Sequence, residues 1–397
     1  MGLENLYNIL EVDSLADEKQ IKVAYAKMVR KYPPEKAPEQ FKKIREAYEI
    51  LINPLRRAEY IARSKYGNKI NELEKKADDA VENGEYYEAV NQYKKILIIE
   101  PSLSYIKNKL ALTFLYNGQT KEGINQLEEL VRFNSKNSVY LGNLGYAYKK
   151  NGDIEKAEEY LIKSLCIDGK NEENVSIISD IYIEQNEYNK AVQYLRKAAE
   201  TNKTYDFREF IYYYEIIRVC TFSKEISIIE ETMNYMCKII PNDKETKNYV
   251  LGRFYYLAKS LYKMLDYISS KLISKKTIEI CGDNETVKKI YEESKRLLRL
   301  TEKFNKLLED DRIIGILKTP IYYYLYRFRL SNSQYERDAK ENINQINNAI
   351  LLNNKDMFDS VHIIKEEYLD LYDLKRDLYD EINDKICNIV KEVERDF

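Results

Sequence analysis

Residues Tyr140–Leu165 read YLGNLGYAYKKNGDIEKAEEYLIKSL, and the chain on either side repeats their plan. Asn151-Gly152-Asp153-Ile154 has counterparts at Asn83-Gly84-Glu85-Tyr86, Asn117-Gly118-Gln119 and Gln185-Asn186-Glu187-Tyr188, recurring every 34 residues. Five residues past each turn position stands a small residue: Ala89, Gly123, Ala157 and Ala191. Four further on comes a large one: Tyr93, Leu127, Leu161 and Leu195. A fixed period with a turn in its middle is the pattern of stacked helix-turn-helix units. The small residue lets two helices approach closely, and the large one fills the gap between neighbouring units. The spacing predicts four units, at 70–103, 104–137, 138–171 and 172–204, with Pro101 closing the first.

The composition agrees with an all-α chain. Glycine and proline are scarce, 12 and 7 in 397 residues, which excludes collagen-like, linker-like and turn-rich β classes. A hydrophobic share of 44% is enough for packed cores, and the length suits two to three domains. The charges, 64 Lys+Arg against 66 Asp+Glu, describe a surface of mixed sign. That argues against a nucleic-acid partner, which would call for a basic excess. The 37 tyrosines and absent tryptophan read as the codon bias of an AT-rich genome.

Catalysis finds little to work with. His362 is the single histidine, so a site needing two His ligands cannot form. It is expected to be an ordinary half-buried helix residue. Cys166, Cys220, Cys237, Cys281 and Cys387 contain no Cys-x-x-Cys pair and read as reduced, buried thiols of a cytosolic protein. No phosphate loop, nucleophile elbow or metal cluster is visible. The expectation is a non-enzyme without cofactor or metal. The N-terminus lacks a signal-peptide pattern. The most apolar stretch, Ile313–Tyr326, is broken by Lys318 and Pro320 and falls short of the ~20 residues of a membrane span. Cytoplasmic location, with no membrane partner, is expected.

Residues 1–62 read as four short helices. Leu3–Leu10 is apolar. Asp17 and Glu18 then place negative charge where a helix dipole favours it. Ile21, Ala24, Tyr25 and Met28 follow at helical spacing, with Lys19, Lys22, Lys27, Arg30 and Lys31 around them. Pro33-Pro34 ends that helix. Phe41, Ile44, Ala47, Tyr48 and Leu51 make the next stripe, and Asn53-Pro54 opens a short helix, Leu55–Ala62.

The segments "LYNILEV", "DEKQIKVAYAKMVRKY", "FKKIREAYEIL" and "NPLRRAEY" resemble the J domain of DnaJ-type co-chaperones. The resemblance implies a four-helix fold whose basic second helix docks a DnaK-type chaperone; Lys22, Lys27, Arg30 and Lys31 stand at the matching positions. In that family the loop after this helix carries His-Pro-Asp, which triggers the chaperone's ATPase. Here the same positions hold Pro33, Pro34 and Glu35. Proline cannot replace the hydrogen-bonding of an imidazole, and Glu35 moves the charge one methylene outward. A J-like shape without the trigger is expected. The Gly/Phe-rich segment and zinc modules of full-length DnaJ proteins are absent from the sequence.

The 34-residue units resemble tetratricopeptide repeats (TPR), whose first helices line a peptide-binding groove in an α-solenoid. By repeat position Tyr105, Asn108, Leu112, Tyr116, Asn143, Tyr146 and Lys149 would face it. Aromatics interleaved with amides suit an extended protein or peptide partner. The family's carboxylate clamp is missing, since Glu74 and Asp78 stand where it needs Lys and Asn.

Beyond residue 204 the register fades while helical spacing continues through Phe207–Cys220, Ile226–Ile240, Lys247–Ile273 and Thr286–Leu308. Residues 205–397 read as divergent repeats or a separate helical domain. Pro320 and Ser331-Asn332-Ser333 are candidate boundaries. An apolar stripe from Val361 to Val393 suggests a long terminal helix, capping or dimerising. The resulting organisation is a J-like domain over 1–62, a TPR array over 70–204 and a helical C-terminal region. The expected function is a co-chaperone-like adaptor that recruits a client or peptide, or a scaffold unrelated to chaperones.

Overall fold

The computed structural model describes residues 6–201, 209–329 and 331–395. All described regular elements are helical. The chain forms two compact units, Met1–Gln185 and Asn186–Phe397.

The first unit begins with α1 (Leu6–Ile9), α2 (Glu18–Lys31), α3 (Pro38–Leu51) and α4 (Pro54–Glu82). Asp17 starts α2 with a capping box: its carboxylate accepts from the Gln20 amide, and its own amide donates to the Gln20 side chain, both at 2.8 Å. Ile21, Ala24 and Met28 pack with Tyr7, Leu10, Ile44, Ala47 and Leu51 into a small core. The first turns of α4 hold this module shut. The Arg57 guanidinium donates to the carbonyls of Leu51 (2.6 Å) and Ala16 (3.1 Å), and the Tyr60 hydroxyl accepts from the Leu6 amide at 3.1 Å.

The expected short helix Leu55–Ala62 is instead the start of a 29-residue rod. Gly67 lies inside it, and an interior glycine costs only about 1 kcal/mol relative to alanine. Burial of Ile70, Leu73, Ala77 and Ala80 at the far end offsets that. The rod therefore serves as the last helix of the N-terminal module and the first of the repeat array.

The array continues with α5 (Tyr86–Ile99), α6 (Ser104–Tyr116), α7 (Thr120–Phe133), α8 (Ser138–Asn151), α9 (Ile154–Ile167) and α10 (Glu172–Glu184), each packing on the next. Gly84, Gly118 and Gly152 turn the hairpins with φ of 76°, 79° and 85°, where a Cβ would be strained. The small positions do what their spacing implies. A Cβ built on Gly145 would meet Leu161 Cγ at 2.7 Å and the Ala157 carbonyl at 3.1 Å, so α8 and α9 touch at these residues.

The second unit opens with α11 (Tyr188–Thr201), α12 (Phe210–Ser223), α13 (Ile226–Ile239), α14 (Lys244–Lys263), α15 (Tyr267–Cys281) and α16 (Glu285–Leu308). Helical hairpins continue, and so does the turn device. Asn186, Lys224 and Leu265 carry φ of 58°, 61° and 66°. Lys224 stands 38 residues after Asn186, and Leu265 a further 41. The 34-residue register fades because each spacing is longer and the turn residue is no longer glycine. Ser269, Ser270, Ser274 and Thr277 on α15 are fully buried, and Ser270 Oγ lies 2.8 Å from the Ala258 carbonyl and 2.9 Å from Ser294 Oγ. Small hydroxyl residues here let α14, α15 and α16 approach closely.

A terminal lobe follows: α17 (Gly315–Leu325), α18 (Asn332–Leu352), α19 (Asn354–Glu367), α20 (Leu369–Tyr372) and α21 (Arg376–Arg395). The apolar stretch Ile313–Tyr326 is the lobe's heart: Ile313, Leu317, Ile321 and Leu325 are buried with Phe304, Val361 and Tyr379. Pro320 lies inside α17 and is buried, so it marks no boundary. Its missing N–H leaves the Ile316 carbonyl without its helical donor, and the side-chain amide of buried Asn342 donates to that carbonyl at 3.4 Å. The apolar stripe from Val361 is divided among α19, α20 and the 20-residue α21. Among the described residues no helix is long and apolar enough to cross a membrane.

Candidate protein-interaction surfaces

Two surfaces in the first unit gather the residues singled out by sequence. On α2, Lys22, Val23, Lys27 and Arg30 lie opposite the buried Ile21, Ala24 and Met28. Val23, unremarked in the sequence, is 63% exposed at the centre of this basic face. Three of the four basic residues are already engaged. Lys22 pairs with Glu18 at 2.5 Å, and Glu11 receives both Lys31 (2.7 Å) and Lys27 (3.5 Å). The hydrogen bond from Lys31 holds the Glu11 carboxyl below its ordinary range. All of these pairs are exposed, and such pairs contribute only ~0–1 kcal/mol. Arg30 has no ion-pair partner among the described residues. The loop that follows is a tight turn: the Pro33 carbonyl accepts from the amides of Lys36 (3.0 Å) and Ala37 (2.9 Å), leaving Pro34 and Glu35 exposed.

The second surface runs along the first helices of the repeats, α4, α6, α8 and α10. Their side chains are laced at offsets of 31 to 35 residues. Lys109 Nζ reaches Glu74 and Asp78, each at 2.8 Å. Tyr105 donates to Glu74 at 3.2 Å, and Tyr93 donates to Asp78. Burial, then the Asp78 carboxylate, push the Tyr93 phenol far above its usual value, so it remains a donor. Asn143 donates to Asn108 at 2.8 Å, and Lys149 to Glu184 at 2.8 Å. Glu74 and Asp78 thus do not present bare negative charge: Lys109 bridges them and offsets one of their two charges.

Tyr116 is 44% exposed. Its ring lies 5.7 Å from that of Tyr86 and 5.7 Å beneath the Lys150 ammonium, which also donates to the Leu115 carbonyl. Burial leads in raising the Tyr116 phenol, with Tyr146 adding to it. Leu112, Asn143 and Tyr146 are half-buried. The expected residues therefore fall on one run of helices, some committed to bonds between repeats. Sequence reading missed Lys109, Tyr86, Lys150 and Glu184; the offset of about one repeat between opposite charges was the available signal.

The cysteines and the histidine are not arranged for chemistry among the described residues. The five cysteines are free, but only Cys220 is buried; Cys166, Cys237 and Cys387 sit on solvent faces of their helices, correcting the expectation of buried thiols. Burial raises the Cys220 thiol to about 12 and Cys281 to about 11, far from the thiolate that reactive cysteines need. His362 is exposed rather than half-buried and pairs with Glu366 at 3.1 Å. Among the described residues no three His, Cys, Asp or Glu are placed to hold a metal.

Comparison with known proteins finds two families, each over part of the chain. The DnaJ domain model matches residues 5–60, and the tetratricopeptide repeat model matches 139–171 and 176–205. Over 72 residues the chain is 46% identical to a curved DNA-binding protein of Pseudomonas syringae pv. tomato, and over 74 residues 47% identical to the chaperone protein DnaJ of Anaplasma marginale. Each match takes in 17% of this chain and, respectively, 23% and 19% of the relative. The chain thus spans less than a quarter of these relatives. Among solved structures, a tetratricopeptide repeat protein of Parabacteroides merdae aligns at 17% identity and TM-score 0.33, over 57% of this chain and 99% of that one. MamA of Desulfovibrio magneticus aligns at 20% and 0.31, over 48% and 99%. Both matched families are interaction modules rather than enzymes. The chain carries an N-terminal DnaJ domain followed by tetratricopeptide repeats.

Proposed function

We propose that this protein is a non-catalytic, co-chaperone-like adaptor. Its repeat surface takes an extended client segment or peptide, and the α2 face of its DnaJ domain engages a DnaK-type chaperone. The array would cover residues 70–204, with the hairpins of α12–α15 as divergent continuations. The observation that carries this reading is the single helix α4, whose first turns close the DnaJ domain and whose far end packs in the repeat core, so that the two proposed faces share one helix.

The adaptor would hold rather than fire. The Pro33 side chain offers no donor or acceptor where the trigger imidazole belongs, and its carbonyl is spent on the turn to Lys36 and Ala37. The same feature favours a second reading, a scaffold with no chaperone link. Co-purification from the native cytosol, followed by single-turnover ATPase measurement on the chaperone recovered, separates the two. The adaptor reading expects a DnaK-type chaperone to co-purify without faster hydrolysis. Repeat partners alone would leave the scaffold, and stimulation at the level of an intact J domain would remove the holding role.

A further inference from the structure

The end of α1 holds a residue that its backbone disfavours. The Val12 amide donates to the Tyr7 carbonyl at 3.0 Å and the Glu11 amide to the Asn8 carbonyl at 3.1 Å. This double bond pattern is the Schellman motif, whose left-handed position is ordinarily glycine. Here it is Glu11, with φ of 52°. A side chain in this region is strained, and strain that persists is a pointer to function.

The side chain shows what the strained position supplies. The Glu11 carboxylate reaches over α2 to Lys31 at 2.7 Å and Lys27 at 3.5 Å. Lys27 stands one turn along α2 from the exposed Val23, with Arg30 and Lys31 about a further turn on. An apolar residue flanked along one helix by Lys27 and Arg30 suits an acidic protein surface, and charge at such a rim governs association rate and salt dependence. Glu11 brings a negative charge into that rim. It competes for two of the cations and repels an acidic partner.

We infer that Glu11 is an intramolecular mask that holds down the affinity of the α2 face for an acidic surface on a DnaK-type chaperone. This rests on the reading of α2 as the docking face. The test uses the full chain and the ATP-bound chaperone, with affinity measured at low and high salt for wild type, Glu11→Gln, Glu11→Gly, Arg30→Ala, and Arg30→Ala combined with Glu11→Gln. The glutamine keeps the strained backbone without the charge; the glycine removes both. Both single Glu11 variants should bind about three- to tenfold more tightly at low salt, and the gain should shrink as salt screens the charges. Arg30→Ala should weaken binding in either background. Unchanged affinity in both Glu11 variants, with Arg30→Ala still weakening binding, overturns the mask and keeps the docking face. A gain in the glycine variant alone assigns the effect to backbone strain and also overturns the mask. Absence of binding by every variant overturns the docking face itself.

Discussion

Asn143 on α8 donates its side-chain amide to the side-chain oxygen of Asn108 on α6 at 2.8 Å, across 35 residues of sequence. Positions one repeat plus one residue apart on successive first helices are thus bonded directly, and Lys149–Glu184 repeats the relation one helix further on. The repeat surface is laced by its own polar groups, with half-exposed Tyr116 and half-buried Tyr146 beside them.

Tyr116 and Tyr146 should carry partner binding. Replacing both with Ala should weaken capture of a native peptide partner by at least tenfold, since aromatic anchors dominate such interfaces. Tyr116 is half-exposed, so the helical circular-dichroism signal should persist. Loss of that signal would make these rings structural.

The trigger should be restorable. Pro33→His with Glu35→Asp should confer stimulation of a DnaK-type ATPase on a loop that otherwise lacks it. Single-turnover hydrolysis reads the gain. Equal rates for wild type and double variant would show that the loop is not what limits the protein.

Two glycines should respond oppositely to alanine. Gly67 lies within α4 with nothing within 4 Å of a built Cβ, so Gly67→Ala should stabilise by about 0.5–1 kcal/mol. At Gly145 the same Cβ meets Leu161 Cγ at 2.7 Å and its backbone nitrogen at 3.0 Å. Gly145→Ala should destabilise by about 1–3 kcal/mol. Denaturant midpoints of the two variants decide it, and shifts of the same sign would remove the close approach of α8 and α9.

The terminal lobe should be acid-sensitive through one cluster. Arg312 makes paired bonds to Asp310 (2.9 and 2.7 Å) and to Glu367 (2.9 and 2.6 Å), and Tyr368 donates to Asp310 at 3.1 Å. The Arg312 hydrogen bonds hold Asp310 and Glu367 below their ordinary ranges. Carboxyls depressed on folding contribute stability above their unfolded values, about 4, and that contribution is lost as pH falls toward the folded ones. Asp310→Asn should lower the melting temperature at pH 7 and flatten its fall on acidification. Parallel curves for variant and wild type would assign the acid response elsewhere.

Much of this was legible because it rests on local rules. The period of 34 residues places Gly84, Gly118 and Gly152 where only a left-handed turn residue fits. Asp17 and Pro33-Pro34 bracket α2 by capping and donor loss. What escaped depends on contacts distant in sequence. The turns at Lys224 and Leu265 have no glycine to announce them. Pro320 reads as a break until Asn342 supplies a donor for the Ile316 carbonyl. The stripe beyond Val361 bends at Tyr368 without glycine or proline, where Asp310 bonds Tyr368 and Lys303 bonds Asp370. On the interaction surfaces residue types were readable, but the pairing of Glu11 with α2, and of Lys109 with Glu74 and Asp78, needed three dimensions.

The shared helix α4 also makes the first unit a phase-locked device. An α-helix advances about 1.5 Å and turns about 100° per residue. One residue inserted near Gly67 would swing the α2 face by roughly that angle about the α4 axis while leaving both modules internally intact. Four inserted residues would nearly restore the original bearing at a separation about 6 Å greater. On the adaptor reading, output should therefore vary with insertion length as an oscillation rather than a steady decline, because α4 would set the bearing of the two proposed faces as well as their distance.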